Sequence, residues 1–103
     1  MSKKAKLDIK QLRAIGHKLK PVVTVAGNGV SEGVASEIDR ALSQHELIKI
    51  KLAVGDREAK AAVTAEICEQ TGAEVVQSIG NVILVLRRTA EPDPRLSNLL
   101  RPL

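Results

Sequence analysis

The sequence predicts a mixed α/β domain of the α+β type, a two-layer sandwich with a mixed four-stranded sheet in the order α-β-α-β-α-β-β. Three observations predict it. Apolar residues recur at helical spacing in three segments and alternate or run together in four others. A helix-length stretch separates the first extended segment from the second and the second from the third, which favours parallel strands. The last two extended segments flank Gly80-Asn81, a two-residue turn that makes them antiparallel. At 103 residues the chain is one ordinary domain, long enough for a single core and too short for two.

Asp8 followed by Gln11 reads as a capping box, and Ile9, Leu12, Ile15 and Leu19 then recur at helical spacing, so a first helix is expected over 8–19. Lys10, Arg13 and His17 fall in an arc roughly 60° wide opposite that stripe, which gives the helix a basic face. Pro21 ends it, and the β-branched run 22–25 reads as a buried strand leading into Ala26-Gly27-Asn28-Gly29. Ser31 is a suitable cap for a second helix over 32–44, where Val30, Val34, Ile38 and Leu42 repeat every four residues. Segment 47–53 alternates, with Ile48, Ile50 and Leu52 on one face and Lys49 and Lys51 on the other. Asp56 caps a third helix with the stripe Ala59, Ala62, Val63, Glu66 and Ile67, and Gly72 fits its left-handed C-terminal position. Segments 75–79 and 82–87 form the hairpin. From Thr89 onward, Pro92, Pro94 and Pro102 break regular structure, and two alternatives stand for this tail: one short docking turn made by Leu96, Leu99 and Leu100, or a mobile end. The expected organisation is a basic arm at 1–6, a domain at 7–88 and a Pro-containing tail at 89–103.

Composition narrows the function classes. With no Phe, Tyr or Trp, the chain cannot stack unpaired bases on aromatic side chains as RRM, cold-shock and most OB-type binders do. Its net charge of +4 is segregated: residues 1–20 hold seven Lys/Arg against the single acid Asp8, residues 21–86 hold five against nine acids, and residues 87–103 are again basic. That segregation suits a polyanionic partner. The longest apolar run, 82–86, is far short of the roughly 20 residues of a membrane span, and the Lys-rich start has no apolar segment behind it. One cysteine excludes an internal disulfide and a Cys-based zinc site, so a cytoplasmic protein without membrane partners is expected.

Candidate chemistry concentrates where the first strand meets the second helix. The glycines of Ala26-Gly27-Asn28-Gly29 let backbone N–H groups approach a phosphate, and the helix N-terminus adds positive potential there. A Walker loop would need Lys before its Ser/Thr, and Val30 stands before Ser31, so nucleotide hydrolysis is not expected. Cys68 has Glu66 and Glu69 beside it, which should raise its pKa and leave it structural. His45 reads as a helix C-terminal residue favoured by the dipole, and two separated histidines specify no metal site. No catalysis, cofactor or small-molecule substrate is expected.

Taken in order, several motifs resemble the CRM domain family (chloroplast RNA splicing and ribosome maturation), in particular its bacterial YhbY-type members. They are His17-Lys18-Leu19-Lys20-Pro21-Val22-Val23, Asn28-Gly29-Val30-Ser31-Glu32-Gly33-Val34, His45-Glu46-Leu47-Ile48-Lys49-Ile50-Lys51, Asp56-Arg57-Glu58, Thr71-Gly72-Ala73 and Gln77-Ser78-Ile79-Gly80. The resemblance spans about 7–88 and implies a fold similar to the C-terminal domain of translation initiation factor three. It also implies RNA binding through a Gly-x-x-Gly loop and association with ribosomal RNA in precursors of the large (50S) subunit. Two positions depart from the family pattern: Ala26 replaces the first loop glycine, and Leu86 replaces a tyrosine common in bacterial relatives, while the basic residue after it is kept as Arg87. The expected RNA-binding set is the loop (Ala26, Gly27, Asn28, Gly29) with Lys10, Arg13, His17, Lys18, Lys20, Lys49, Lys51 and Arg87. Without aromatics, recognition of shape and backbone is expected. The alternative is a protein-interaction adaptor whose basic surface meets an acidic protein, and salt dependence alone does not separate the two.

Overall fold

The computed structural model describes residues 8–26 and 29–100. The elements are α1 (Ile9–His17), β1 (Pro21–Ala26), α2 (Glu32–His45), β2 (Leu47–Ala53), α3 (Arg57–Thr71), β3 (Glu74–Ile79) and β4 (Val82–Leu86). The predicted caps form: Asp8 and Gln11 make a reciprocal capping box, Ser31 accepts from the Val34 amide, and Asp56 accepts from the Ala59 amide at 2.7 Å. Gly72 ends α3 with φ +76°, the left-handed backbone that favours glycine. The first helix stops two residues earlier than its apolar stripe, because Lys18 and Leu19 close a tighter turn on Ile15 and Gly16 before Pro21.

The sheet order is β1-β2-β4-β3. β1 and β2 are parallel neighbours, while β4 lies antiparallel between β2 and β3. The helix-joined strands therefore all run the same way, and the hairpin strand inserts between two of them. Alternation along β2 sorts the two faces. Ile48, Ile50 and Leu52 join Val23, Val25, Ile83 and Val85 in the core beneath α2 and α3, which contribute Ile38, Leu42, Val63 and Ile67. Leu47, Leu84, Leu86 and Val76 form a second cluster under Leu12 of α1. The sheet and the α2/α3 pair thus make the two main layers, and α1 adds partial cover on the opposite face. In α3 the observed buried positions are Val63, Ile67 and Thr71, with Ala62 turned to solvent.

α1 reaches the sheet through a glycine. A Cβ added at Gly16 would lie 2.9 Å from Leu84 Cδ1 and nearer still to Cδ2, so the buried Leu84 side chain would have to shift. Replacing Gly16→Ala should therefore destabilise the fold by about 1–3 kcal/mol through overpacking, even after the roughly 1 kcal/mol that Ala gains over Gly in a helix. A lowered urea midpoint with unchanged slope is the expected reading.

Residues 89–100 return across the domain. Asn98 N–H donates to His45 O, its side-chain amide donates to Leu47 O at 2.7 Å, and His45 Nδ1 lies 2.8 Å from Leu96 O. Of the two alternatives for this segment the docking turn is the one present, with Leu99 packed against the α1 cluster. His45 serves this contact, and the cap position itself is taken by Glu46.

Candidate functional site

β1 delivers the chain to the loop at its C-terminal end. Gly27 and Asn28, like the arm at 1–6, lie outside the described residues. Around them, the Gly29 N–H donates to Ala26 O at 3.1 Å, closing a turn, and Gly29 has φ +94°. Ala26 has no positive φ, so alanine meets no backbone penalty where the family has its first glycine. Glu66 Oε1 stands 3.5 Å from where a Gly29 Cβ would sit, so a carboxylate guards the α3 side of the turn. An anion is repelled from that side and approaches the turn from solvent.

Lys49 and Lys51 project from β2 on the face away from α2 and α3. In register, Lys51 lies between Thr24 of β1 and Val82 of β4, and Lys49 lies between Pro21 and Leu84. Lys51 is exposed, while Lys49 is half-buried and shares a groove of about 280 Å³ with His17, Pro21, Gln77, Ile79, Val82 and Leu84. Lys10 and Arg13 are exposed on α1 with His17. Lys18 and Lys20 lie at the other end of β1 from the loop, beside Val22, His45 and Asn98. Lys20 stands six residues before Ala26, about 20 Å along the extended strand at ~3.3 Å per residue, and Lys18 precedes it. The candidate cations therefore do not gather at the loop: Lys18 and Lys20 lie at the far end of β1 beside the end of α2, and Lys49 and Lys51 lie on β2 between that end and the loop.

Arg87 is set apart from this face, which corrects its inclusion in the basic surface. Its side chain, 22% exposed, turns to the α2/α3 side, where Nη1 donates to Asp39 Oδ1 at 2.7 Å and Thr71 O at 2.8 Å. Nη2 donates to Asp39 O and Ser43 Oγ. Thr71 O is a carbonyl at the end of α3, where a cation satisfies an otherwise free acceptor and complements the helix dipole. Spacing along the sequence gave no sign of this role, since the four acceptors come from two helices. Gln77 and Ile79 were also missed as neighbours of the basic residues. A bulge between Val75 and Gln77 breaks the alternation of β3, so that Val76 packs under α1 while Gln77 still lines the groove on that same face.

Burial pushes the Cys68 thiol above its ordinary pKa, the expected direction from a different cause than the flanking carboxylates. Among the described residues no His/Cys/Asp/Glu cluster could hold a metal ion, and no helix is long and apolar enough to cross a membrane.

A four-stranded mixed sheet with helices on both faces, a glycine-bearing strand-to-helix turn and lysines on the open sheet face define a small α/β domain of CRM type. The model of the CRS1/YhbY (CRM) domain matches residues 5–87, and the chain belongs to that family. It is 50% identical over 92 residues to a probable RNA-binding protein of Pseudomonas aeruginosa, covering 89% of this chain and 88% of that one. It is 45% identical over 80 residues to an RNA-binding protein of Haemophilus influenzae, covering 78% and 81%. The solution structure of a hypothetical Staphylococcus aureus protein, provisionally described as RNA-binding, superposes with a TM-score of 0.71 at 29% identity, covering 81% and 86%.

Arg87→Ala should lower stability by about 1–3 kcal/mol, since it leaves a helix-end carbonyl without its donor. Chemical denaturation monitored by circular dichroism measures it. An unchanged midpoint would mean that the guanidinium contacts contribute nothing net.

Proposed function

We propose that this protein binds structured RNA by its phosphate backbone, and that the RNA is ribosomal RNA in precursors of the large subunit in the cytoplasm. The observation that carries the RNA reading is the row of cations from the start of β1 across β2, on the partly covered side of the sheet, in a chain whose relatives bear RNA-binding names. Lys18 and Lys20 stand at one end, Lys49 and Lys51 in the middle, and the turn at Gly29 with the α2 N-terminus at the other. A span of about 20 Å from Lys20 to Ala26 reaches several successive phosphates, which suits a rigid RNA surface better than a point anion. Backbone contacts of this kind fix orientation and carry little sequence information, in keeping with a shape reader. The large-subunit assignment is supported by the family resemblance of the ordered motifs at 17–80.

Two variants test the surface against a structured ribosomal RNA fragment. Lys18→Glu with Lys20→Glu, and Lys51→Glu separately, should each weaken binding about tenfold or more. Neutralising each phosphate contact should flatten the dependence of log affinity on log salt by roughly 0.7–0.9. Undiminished affinity in the folded variants would remove these residues from the interface. For the ribosomal assignment, the protein should sediment with large-subunit precursors in host lysate and leave them after mild RNase. A position at the top of the gradient under both conditions would count against stable association.

A further inference from the structure

We propose that the groove beside the C-terminal end of α1 seats one unpaired nucleobase of the bound RNA. Gln77 and His17 would address the edge of the base, Ile79, Val82 and Leu84 its face, and Lys49 a phosphate beside it. This rests on the RNA reading above and goes beyond it, because phosphate contacts account for the lysines and leave the apolar floor without a role.

The floor follows from register. Gln77 pairs with Leu84 and Ile79 with Val82, so two neighbouring rungs of β3 and β4 present four side chains to one face. α1 covers Leu84 and ends at His17, which leaves Gln77 and Val82 half-buried and Ile79 60% exposed. The volume, about 280 Å³, falls just below the roughly 300–1,000 Å³ of sites for drug-sized ligands and suits one flat heterocycle. Among the described residues, the His17, Lys49 and Gln77 side chains make no hydrogen bond or ion pair within the protein, so their polar atoms can turn to a ligand.

The chemistry of the rim selects the occupant. A phosphate needs donors only, while the Gln77 amide offers a donor and an acceptor side by side, the pattern of a base edge. Branched aliphatic side chains bury the face of a base by the same loss of wetted apolar area that aromatic rings provide, without the ring-to-ring term. Lys49, in the cation row and in the groove wall, is placed to hold a phosphate flanking the seated base. Fully paired RNA keeps its base faces stacked and cannot present one here, so the groove reads a bulge or loop within an otherwise shape-recognised RNA.

Two hairpins of equal nucleotide number test this, one with a fully paired stem and one carrying a single bulged 2-aminopurine. The protein has no Phe, Tyr or Trp, so 2-aminopurine drawn out of the RNA stack meets no such ring to stack on, and its emission should rise on binding. The bulged hairpin should bind about fivefold tighter or more, the scale of one well-made hydrogen bond with apolar burial. Gln77→Ala and Ile79→Ala, whose fold is checked by circular dichroism, should each bring the affinity ratio toward one and reduce the rise in emission. Equal affinity for both hairpins with unchanged emission overturns the base seat and leaves RNA binding standing. A bulge preference that survives both substitutions overturns the groove as its location. Failure of both hairpins to bind overturns the RNA reading itself.

Discussion

The alternation of β2 is the constraint on which the rest of the molecule depends. It is paired on both sides, parallel to β1 and antiparallel to β4, so its register sets the register of the sheet. Because successive side chains point to opposite faces, Ile48, Ile50 and Leu52 can enter the core only if Lys49 and Lys51 leave it. A slip by one residue would bury two ammonium groups and expose three large aliphatic side chains, so the same pattern that builds the core fixes the cations on one surface. That surface is not fully covered, since α1 is only nine residues long.

A second constraint lies immediately before β2. Glu46 adopts φ +64°, rare for a residue with a Cβ and worth roughly 1–3 kcal/mol of strain. Its surroundings hold it there: the Arg87 N–H donates to its carbonyl at 2.8 Å, the Thr89 N–H to Oε2 at 2.7 Å, and the Ser97 hydroxyl to Oε1 at 2.6 Å. The carboxylate is buried with these donors around it, which meets the requirement that a buried charge be hydrogen-bonded. The segment beyond β4 therefore belongs to the packed domain, and it fixes the turn from which β2 departs beside Lys18 and Lys20. Arg87 adds to the same junction on the helix side, tying α2 to the end of α3. Stability and surface thus draw on separate sets of cations.

Local signals carried most of the fold. Capping at Asp8, Ser31 and Asp56, the left-handed stop at Gly72 and the Gly80-Asn81 turn are each decided by groups within a few residues, and each was legible before the structure. The bulge in β3 was not, because nothing in Val75-Val76-Gln77 distinguishes a bulged strand from a regular one until β4 supplies the partner. Nor was the cover of the second face: Gly16 in a helix has no local purpose, and its reason is Leu84, far along the chain. For the candidate site, the cations of α1 and β2 could be named from periodicity, while their distances from the loop could not.

Outside the bulge in β3, the sequence by itself determined which side chains share a face and, to within a residue or two, where each element begins and ends, since those follow from periods of 3.6 and 2 and from short-range capping. Tertiary structure alone decided which faces meet. It separated Lys18 and Lys20 from the loop by the length of β1, turned Arg87 to the helices, and put His17, Lys49 and Gln77 around one groove. These placements depend on strand order and on where α1 stops over the sheet. Both are set by long-range packing among residues with no sequence relation to one another.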